Sequence, residues 1–301
     1  NWAFPLYYWD YSIGLVLTTL LFGFTFGSFG SEGRGFVEDL TQADTSSLTS
    51  AFVGGVIFNL SNLLIVAATA IAGMSVAFPI AVGLALVIGV VVNYIAAPVG
   101  DASLLFIGLG LVVAAIIVDA LAYKKLPQSG SKDIKKGIII SVLSGILMGF
   151  FYRFVAASMS TGFAAPTEGL MTSYSAMFIF TLGIFASNFL FNSWFMYKPV
   201  TGEKVSYKDY YTKANTKTHL IGILGGLIWA TGMEFNLIAA EQAGFAISYG
   251  LGQGATLIAV IWGVFIWKEF AGAPKGTNKL LAAMFALFIV GLILIVIARL
   301  N

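Results

Sequence analysis

The sequence predicts an all-α polytopic membrane protein, and three observations carry that prediction: very little charge, many long apolar runs, and lysines gathered on alternate loops. Charged residues make up only 10% of the chain against 58% hydrophobic, and the mean hydropathy is +0.91. A soluble globular domain carries about 25% charged residues, so this chain could not cover its own surface in water. Transmembrane barrel strands would be shorter and alternate in polarity; the apolar runs here do not.

A spanning helix needs about 20 apolar residues, and nine segments qualify. The first covers 11–29. The second, 49–68, carries Asn59 and Asn62, and the third, 74–94, contains Pro79. The fourth, 103–122, has Asp119 near its end, and the fifth, 137–155, holds Tyr152 and Arg153. The sixth, 173–196, carries Asn188 and Asn192. The seventh, 219–240, holds Trp229 and Glu234, and the eighth, 244–267, holds Tyr249 and Gln253. The last, 280–299, is almost wholly apolar.

Lysine placement orients these spans. With loops alternating between two sides, one side receives 124–136, 198–217 and 268–279, which together hold thirteen lysines. The other side receives Arg34 and Arg299, while Arg153 lies inside a span. By the positive-inside rule the lysine-rich side is cytoplasmic. The acidic 31–44 loop then faces out.

Several function classes fall away. A net charge of +2 spread over short loops leaves no basic face for nucleic acid. The absence of cysteine removes disulfides and thiolate metal sites. A single histidine and few carboxylates argue against a catalytic metal or an intramembrane enzyme. No cofactor is expected.

Internal similarity gives the domain organisation. Gly54–Gly83 aligns without a gap to Gly225–Gly254, with seven of 30 positions identical, including the leading glycine pair, Ala72-Gly73 with Ala243-Gly244, and the closing glycine. The offset pairs the second span with the seventh and the third with the eighth. These partners start on opposite sides of the membrane, so the repeats are inverted, a hallmark of transporters. The division is 1–122 for one repeat, 123–136 for a cytoplasmic linker and 137–301 for the other. The fifth span has no partner ahead of the first, so a tenth helix is expected before Asn1, and two five-helix halves in all.

YWDYSIGLVLTTLLFGFTFGSFG at 8–30 resembles the second helix of plant ureide permeases and of bacterial glucose/ribose-porter-like proteins. The run from Gly54 to Ile95 resembles their third and fourth helices. Both groups belong to the drug/metabolite transporter superfamily, and the resemblance covers nearly the whole chain. The family's first helix, with its Trp-Gly-Ser-Trp-like motif, is not seen. The central loop is short and lacks the nucleotide-binding-like motif of the plant proteins, which places this chain nearer the bacterial sugar-porter branch. The resemblance implies a secondary transporter of the bacterial inner (plasma) membrane that imports a monosaccharide with protons. A ureide or nucleobase permease, or a drug/metabolite exporter, is the alternative. Its partners would be substrate, proton and lipid, with a homodimer left open.

Polar groups in hydrocarbon cost free energy unless paired, which makes each one a functional candidate. At about 1.5 Å of rise per residue, Glu234 and Arg153 fall at similar depth in the outer half. Glu234 is the expected proton-coupling group, modulated by Arg153. Asn59 and Asn62 share a helix face near the midplane and, with Asn188 and Gln253, could bond substrate hydroxyls or ureide groups. Amides also serve as interhelical glue. Trp229, Tyr152 and Tyr249 could stack on a ring, or simply pack. Asp10 and Asp119, near cytoplasmic helix ends, are expected as solvated caps. Glu168 and Glu241 are expected at the outer surface, Asn192 in a structural role, and Trp2, Trp9, Trp194, Trp262 and Trp267 in an interfacial belt. The glycine runs at 145–149, 222–226 and 250–254 are expected to allow close helix approach.

Overall fold

The computed structural model describes residues 2–126, 133–200 and 202–300. The middle of the sequence-read linker, including Lys132, lies outside the described residues. Helices follow one another as α1 (Phe4–Phe24), α2 (Phe36–Gln42), α3 (Thr45–Ala72), α4 (Met74–Ala96), α5 (Ala102–Tyr123), α6 (Ile134–Ala157), α7 (Ser173–Asn188), α8 (Phe191–Tyr197), α9 (Tyr207–Thr212), α10 (Thr216–Ala243), α11 (Phe245–Gly252), α12 (Gly254–Ile261), a π-helical turn (Trp262–Ile266) and α13 (Thr277–Leu300).

Eight helical stretches among the described residues are long and apolar enough to cross a membrane. They fall on eight of the nine predicted spans. The remaining one, α1, has the length (21 residues), but Tyr7, Tyr8, Trp9, Asp10, Tyr11 and Ser12 dilute its apolar character. Two predicted spans are interrupted. The sixth breaks between α7 and α8. The eighth breaks at Gln253, where a turn closes through the Thr256 N–H to the Gln253 carbonyl at 3.0 Å, and ends in the π turn. The acidic 31–44 loop holds a short helix, α2, that apolar periodicity gave no means of seeing.

The chain forms two compact units. In the first (residues 1–63 and 151–242), α1 runs antiparallel to α7: Trp9 meets Phe185 and Phe189, while Thr19 shares a 3.0 Å hydrogen bond with Thr181. Glycines set the backbone spacing. Gly14 lies against the Ile223 carbonyl and Gly226 against that of Tyr11, so α1 and α10 approach reciprocally. Gly55 against Phe180 and Gly183 against Phe52 do the same for α3 and α7. Small residues permit such contact in a medium where lipid competes equally for apolar side chains.

In the second unit (64–150 and 243–301), α5 and α13 meet through Gly108 and Gly291, each against the other's carbonyl. Gly145 and Gly149 of α6 lie on Ala81, Leu84 and Ile88 of α4, which answers the sequence expectation for that pair. Two glycines of this second unit turn the chain tightly. Gly73 (φ 84°) precedes α4 and Gly244 (φ 83°) precedes α11, a left-handed conformation open to glycine without a Cβ penalty.

Candidate functional site

The interior of the first unit is lined by polar side chains that the helices only partly satisfy. Asn59 on α3 is fully buried, and its Nδ2 donates to Ser187 Oγ at 2.7 Å and to the Ile184 carbonyl at 3.2 Å. Its Oδ1 has no partner among the described residues. Next to Ser187, Asn188 is fully buried, and neither of its amide atoms has a partner among the described residues. One turn along α3, Asn62 donates to the Tyr8 hydroxyl at 3.0 Å.

An aromatic cluster occupies the next level of the unit. Trp229 on α10 lies 4.8 Å from Phe58 and 6.4 Å from both Phe180 and Tyr11, centroid to centroid. Phe151 closes the cluster against Phe58 at 5.0 Å. Further along α10 sits Glu234, only 1% exposed. Neither of its carboxylate oxygens has a hydrogen-bond partner among the described residues, although Ser173 is close enough to act on its charge. An unmade bond to a buried polar group costs about 1–3 kcal/mol, more when charged. Asn59, Asn188 and Glu234 all carry this cost within the first unit.

Beyond Glu234, a cavity of about 240 Å³ is lined by Ser160, Phe163, Thr172, Ser173, Tyr174 and Glu241 among others. Glu241 lies seven residues after Glu234 and accepts the Phe163 N–H at 3.0 Å. At this end Arg34 bridges α2 to the loop before α7, bonding Asp39 at 3.0 Å and the Leu170 carbonyl at 2.6 Å. Asp39 also accepts the Thr172 N–H at 2.7 Å.

The other sequence-predicted residues divide. Tyr152 is buried and donates to Asn236 Oδ1 at 2.8 Å. Arg153 is half-buried, and no ion pair joins it to Glu234 among the described residues. Tyr249 and Gln253 belong to the second unit. The Tyr249 hydroxyl donates to the carbonyls of Ala85 at 3.1 Å and Met148 at 3.2 Å, and its ring covers Gly89. Gln253 is half-buried at the helix break. Asn192 donates to the Pro5 carbonyl at 2.8 Å, a structural tie.

Three expectations need correction. Asp10 is not a solvated cap: it is fully buried, with His219 Nδ1 at 2.9 Å and the Tyr210 hydroxyl donating to it at 2.5 Å. Burial and then the Asp10 carboxylate push the Tyr210 phenol upward. Asp119 is only 8% exposed. Trp9 does not sit in a lipid-facing belt; it is 6% exposed and directs its indole N–H at Met196 Sδ, 3.3 Å away. In each case a distant segment covers a residue whose position along the chain implied exposure. His219 was missed because a single histidine at a helix start carries no motif.

No metal-ligand cluster of three or more His, Cys, Asp or Glu exists among the described residues. What the interior offers is hydrogen-bond donors and acceptors beside aromatic faces within a bundle of membrane-spanning helices, an arrangement suited to holding a small polar solute.

Comparison with known proteins agrees. The ureide permease family model matches residues 7–136 and 129–298. Ureide permease 2 of Arabidopsis thaliana is 25% identical, with 94% of this chain and 86% of that protein aligned. Glucose uptake protein GlcU of Bacillus subtilis (strain 168) is 28% identical over 75% of this chain and 68% of its own length. The probable glucose uptake protein GlcU of Priestia megaterium matches at the same identity and coverage. A multi-pass bundle, a polar interior and these relatives together make the protein a membrane transporter of small metabolites, not an enzyme, and the chain belongs to the ureide permease family.

Proposed function

We propose that the protein is a secondary active importer that moves a monosaccharide by alternating access and couples the movement to protons. The observation that carries this reading is the set of buried, unpartnered polar atoms on Asn59, Asn188 and Glu234 in the same unit as the Trp229 aromatic cluster. Amides and a carboxylate complement sugar hydroxyls, and an indole face suits the C–H face of a pyranose. Glu234, buried without an ion-pair partner among the described residues, is a group whose charge is expensive to keep in the membrane. That makes it the choice for the coupling proton, with Arg153 of the same unit modulating it. Asn62 and Tyr152 are further proposed substrate contacts of the first unit, and Tyr249 and Gln253 are proposed as substrate contacts of the second unit taken by itself.

The two inverted repeats, 1–122 and 137–301 about the 123–136 linker, supply the alternation. Three facts support them: α1 packs on α7 and α5 on α13, which are repeat mates; the matched Gly55 and Gly226 each set a close backbone contact; and the matched Gly73 and Gly244 share one left-handed conformation. On this reading α1 is a ninth crossing. The lysine-rich loops face the cytoplasm of a bacterial cell, the protein resides in its inner membrane, and a homodimer is compatible with the exposed apolar faces. A ureide or nucleobase substrate is the second reading, favoured by the family match over nearly the whole chain.

Radiolabelled counterflow in proteoliposomes with pentoses, hexoses, allantoin and nucleobases tests both. Saturable exchange of one hexose or pentose supports the sugar reading, and exchange of allantoin or a nucleobase instead replaces it with the second. No exchange of any panel member would sink importer and substrate together. Loss of proton dependence, but not of exchange, in Glu234→Gln assigns the coupling; full proton-driven uptake in that variant removes it.

A further inference from the structure

The second compact unit holds a cavity of about 110 Å³ whose wall includes Phe78, Asp119, Tyr123, Thr256, Trp267 and Glu269. Asp119 is 8% exposed, and its Oδ1 has no hydrogen-bond partner among the described residues. The Tyr123 hydroxyl donates to Glu269 Oε2 at 2.7 Å and holds that second carboxylate at the rim. No lysine or arginine is among the lining residues.

Local backbone is distorted where it delivers Trp267 and Glu269. The chain arrives through the π turn at 262–266, closed by the Trp267 N–H to the Trp262 carbonyl at 3.0 Å. Lys268 then adopts φ 56°, a left-handed value without the freedom of glycine. The Glu269 N–H folds back onto the Gly263 carbonyl at 3.0 Å, and a Cβ on Gly263 would meet the Glu269 carboxylate at 2.8 Å. π turns and strained non-glycine residues concentrate at binding and switching sites because the surrounding structure must hold them against their cost.

We propose that this cavity binds a small organic ammonium ion. Two carboxylates facing one space, one of them buried with an unused oxygen, call for a cation. The rest of the wall selects which kind. Phe78, Pro79, Val260 and the indole of Trp267 offer carbon and π faces rather than the six or so oxygens that a bare metal ion requires in place of its water. An alkylammonium directs its charge at Asp119 and Glu269 and rests its methyl groups on Trp267 and Phe78, where the ring quadrupole also favours a cation. The volume is small beside the several hundred Å³ of a drug-sized pocket, so the occupant is a headgroup of a few heavy atoms. A free ammonium metabolite and an ethanolamine lipid headgroup share this chemistry.

The test titrates the full chain in phosphatidylglycerol nanodiscs with tetramethylammonium chloride, with sodium chloride at matched ionic strength as the comparison. Tryptophan fluorescence and melting temperature are the readouts. Saturable changes in both with tetramethylammonium and not with sodium are expected. Asp119→Asn and Glu269→Gln each raise the half-saturating concentration by about tenfold or more, and Trp267→Phe, with its poorer π face, removes the fluorescence change and moves the thermal shift to higher tetramethylammonium concentration. Glu269 is exposed, so Glu269→Gln carries the test if Asp119→Asn does not fold. An equal response to sodium, no response, or a response unaltered in both carboxylate variants overturns the proposal. Repeating the titration in phosphatidylethanolamine discs separates the two sources: competition assigns the lipid headgroup, and its absence a free metabolite. None of these readouts depends on counterflow, so this proposal and the importer reading fail separately.

Discussion

His219 Nδ1 lies 2.9 Å from Oδ1 and 3.0 Å from Oδ2 of Asp10, joining the start of α10 to the first turns of α1 across 209 residues. The carboxylate is fully buried while the imidazole is 23% exposed, and Gly222 leaves room for Asp10 to reach it. His219→Ala therefore strands a buried acid with Tyr210 as its remaining side-chain donor. A loss of about 2–3 kcal/mol is expected, below the full cost of breaking a wholly buried pair. His219→Gln, which keeps a donor, recovers part of it. Thermal unfolding in detergent checks the order; an unchanged His219→Ala midpoint would show that the contact contributes nothing.

Asn188→Leu separates stability from function. Its amide atoms have no partners among the described residues, so an apolar side chain of similar size removes a desolvation penalty of about 1–3 kcal/mol. The variant is expected to melt at the same or a higher temperature and to lose most substrate counterflow. Wild-type exchange in a stable Asn188→Leu protein would remove Asn188 from the site.

Gly55→Ala and Gly110→Ala form a matched pair. A Cβ on Gly55 collides with the Phe180 carbonyl, whereas one on Gly110 meets open space. The first should destabilise by about 1–3 kcal/mol through forced backbone shifts. The second should stabilise by up to about 1 kcal/mol through helix propensity. Melting curves for the two, measured side by side, must move in opposite directions.

Asp209 gives a pH signature outside the membrane. Hydrogen bonds from Lys213, and then from the side chain and backbone of Ser206, hold its carboxyl down at about 2. The depressed value means that its contribution to the α9 capping box is present above the ordinary carboxylate pKa and disappears as pH falls toward about 2. An NMR titration should show Asp209 still ionised at pH 3, and Lys213→Ala should move its midpoint upward. A midpoint near 4 in the wild type would contradict the bonded geometry.

Most of the architecture was legible because hydrocarbon imposes length and apolarity on every crossing, and α3, α5 and α13 are long enough to register without ambiguity. The interruptions were harder to see. Asn188-Phe189-Leu190 has no proline or glycine to announce the end of α7, and the glycine run at 250–254, read as a surface for close helix approach, also holds the α11 break. α2 was hidden because seven residues rich in acid carry no apolar period. For the site, residue type was informative: an amide or carboxylate inside a span is conspicuous, and Asn59, Asn188 and Glu234 stand out in the sequence for the same reason that they are costly in the fold. Partners were not legible. Depth along one helix locates Asp10 near an end but says nothing about His219 arriving from another, and nothing in the sequence pairs the Tyr249 hydroxyl with the carbonyls of Ala85 and Met148.

Under the proposed function, the reciprocal approach of Gly55 and Gly183 sets what kind of selectivity the neighbouring amides exercise. With only hydrogen between the two backbones, α3 and α7 have no compressible layer of side chains to absorb a displacement, so Asn59 and Asn188 stand on a fixed scale rather than on adjustable arms. A solute that satisfies both must match that interval. On that proposal, homologous molecules longer or shorter by one bond are rejected through lost hydrogen bonds, so that a small difference in shape becomes a large difference in affinity.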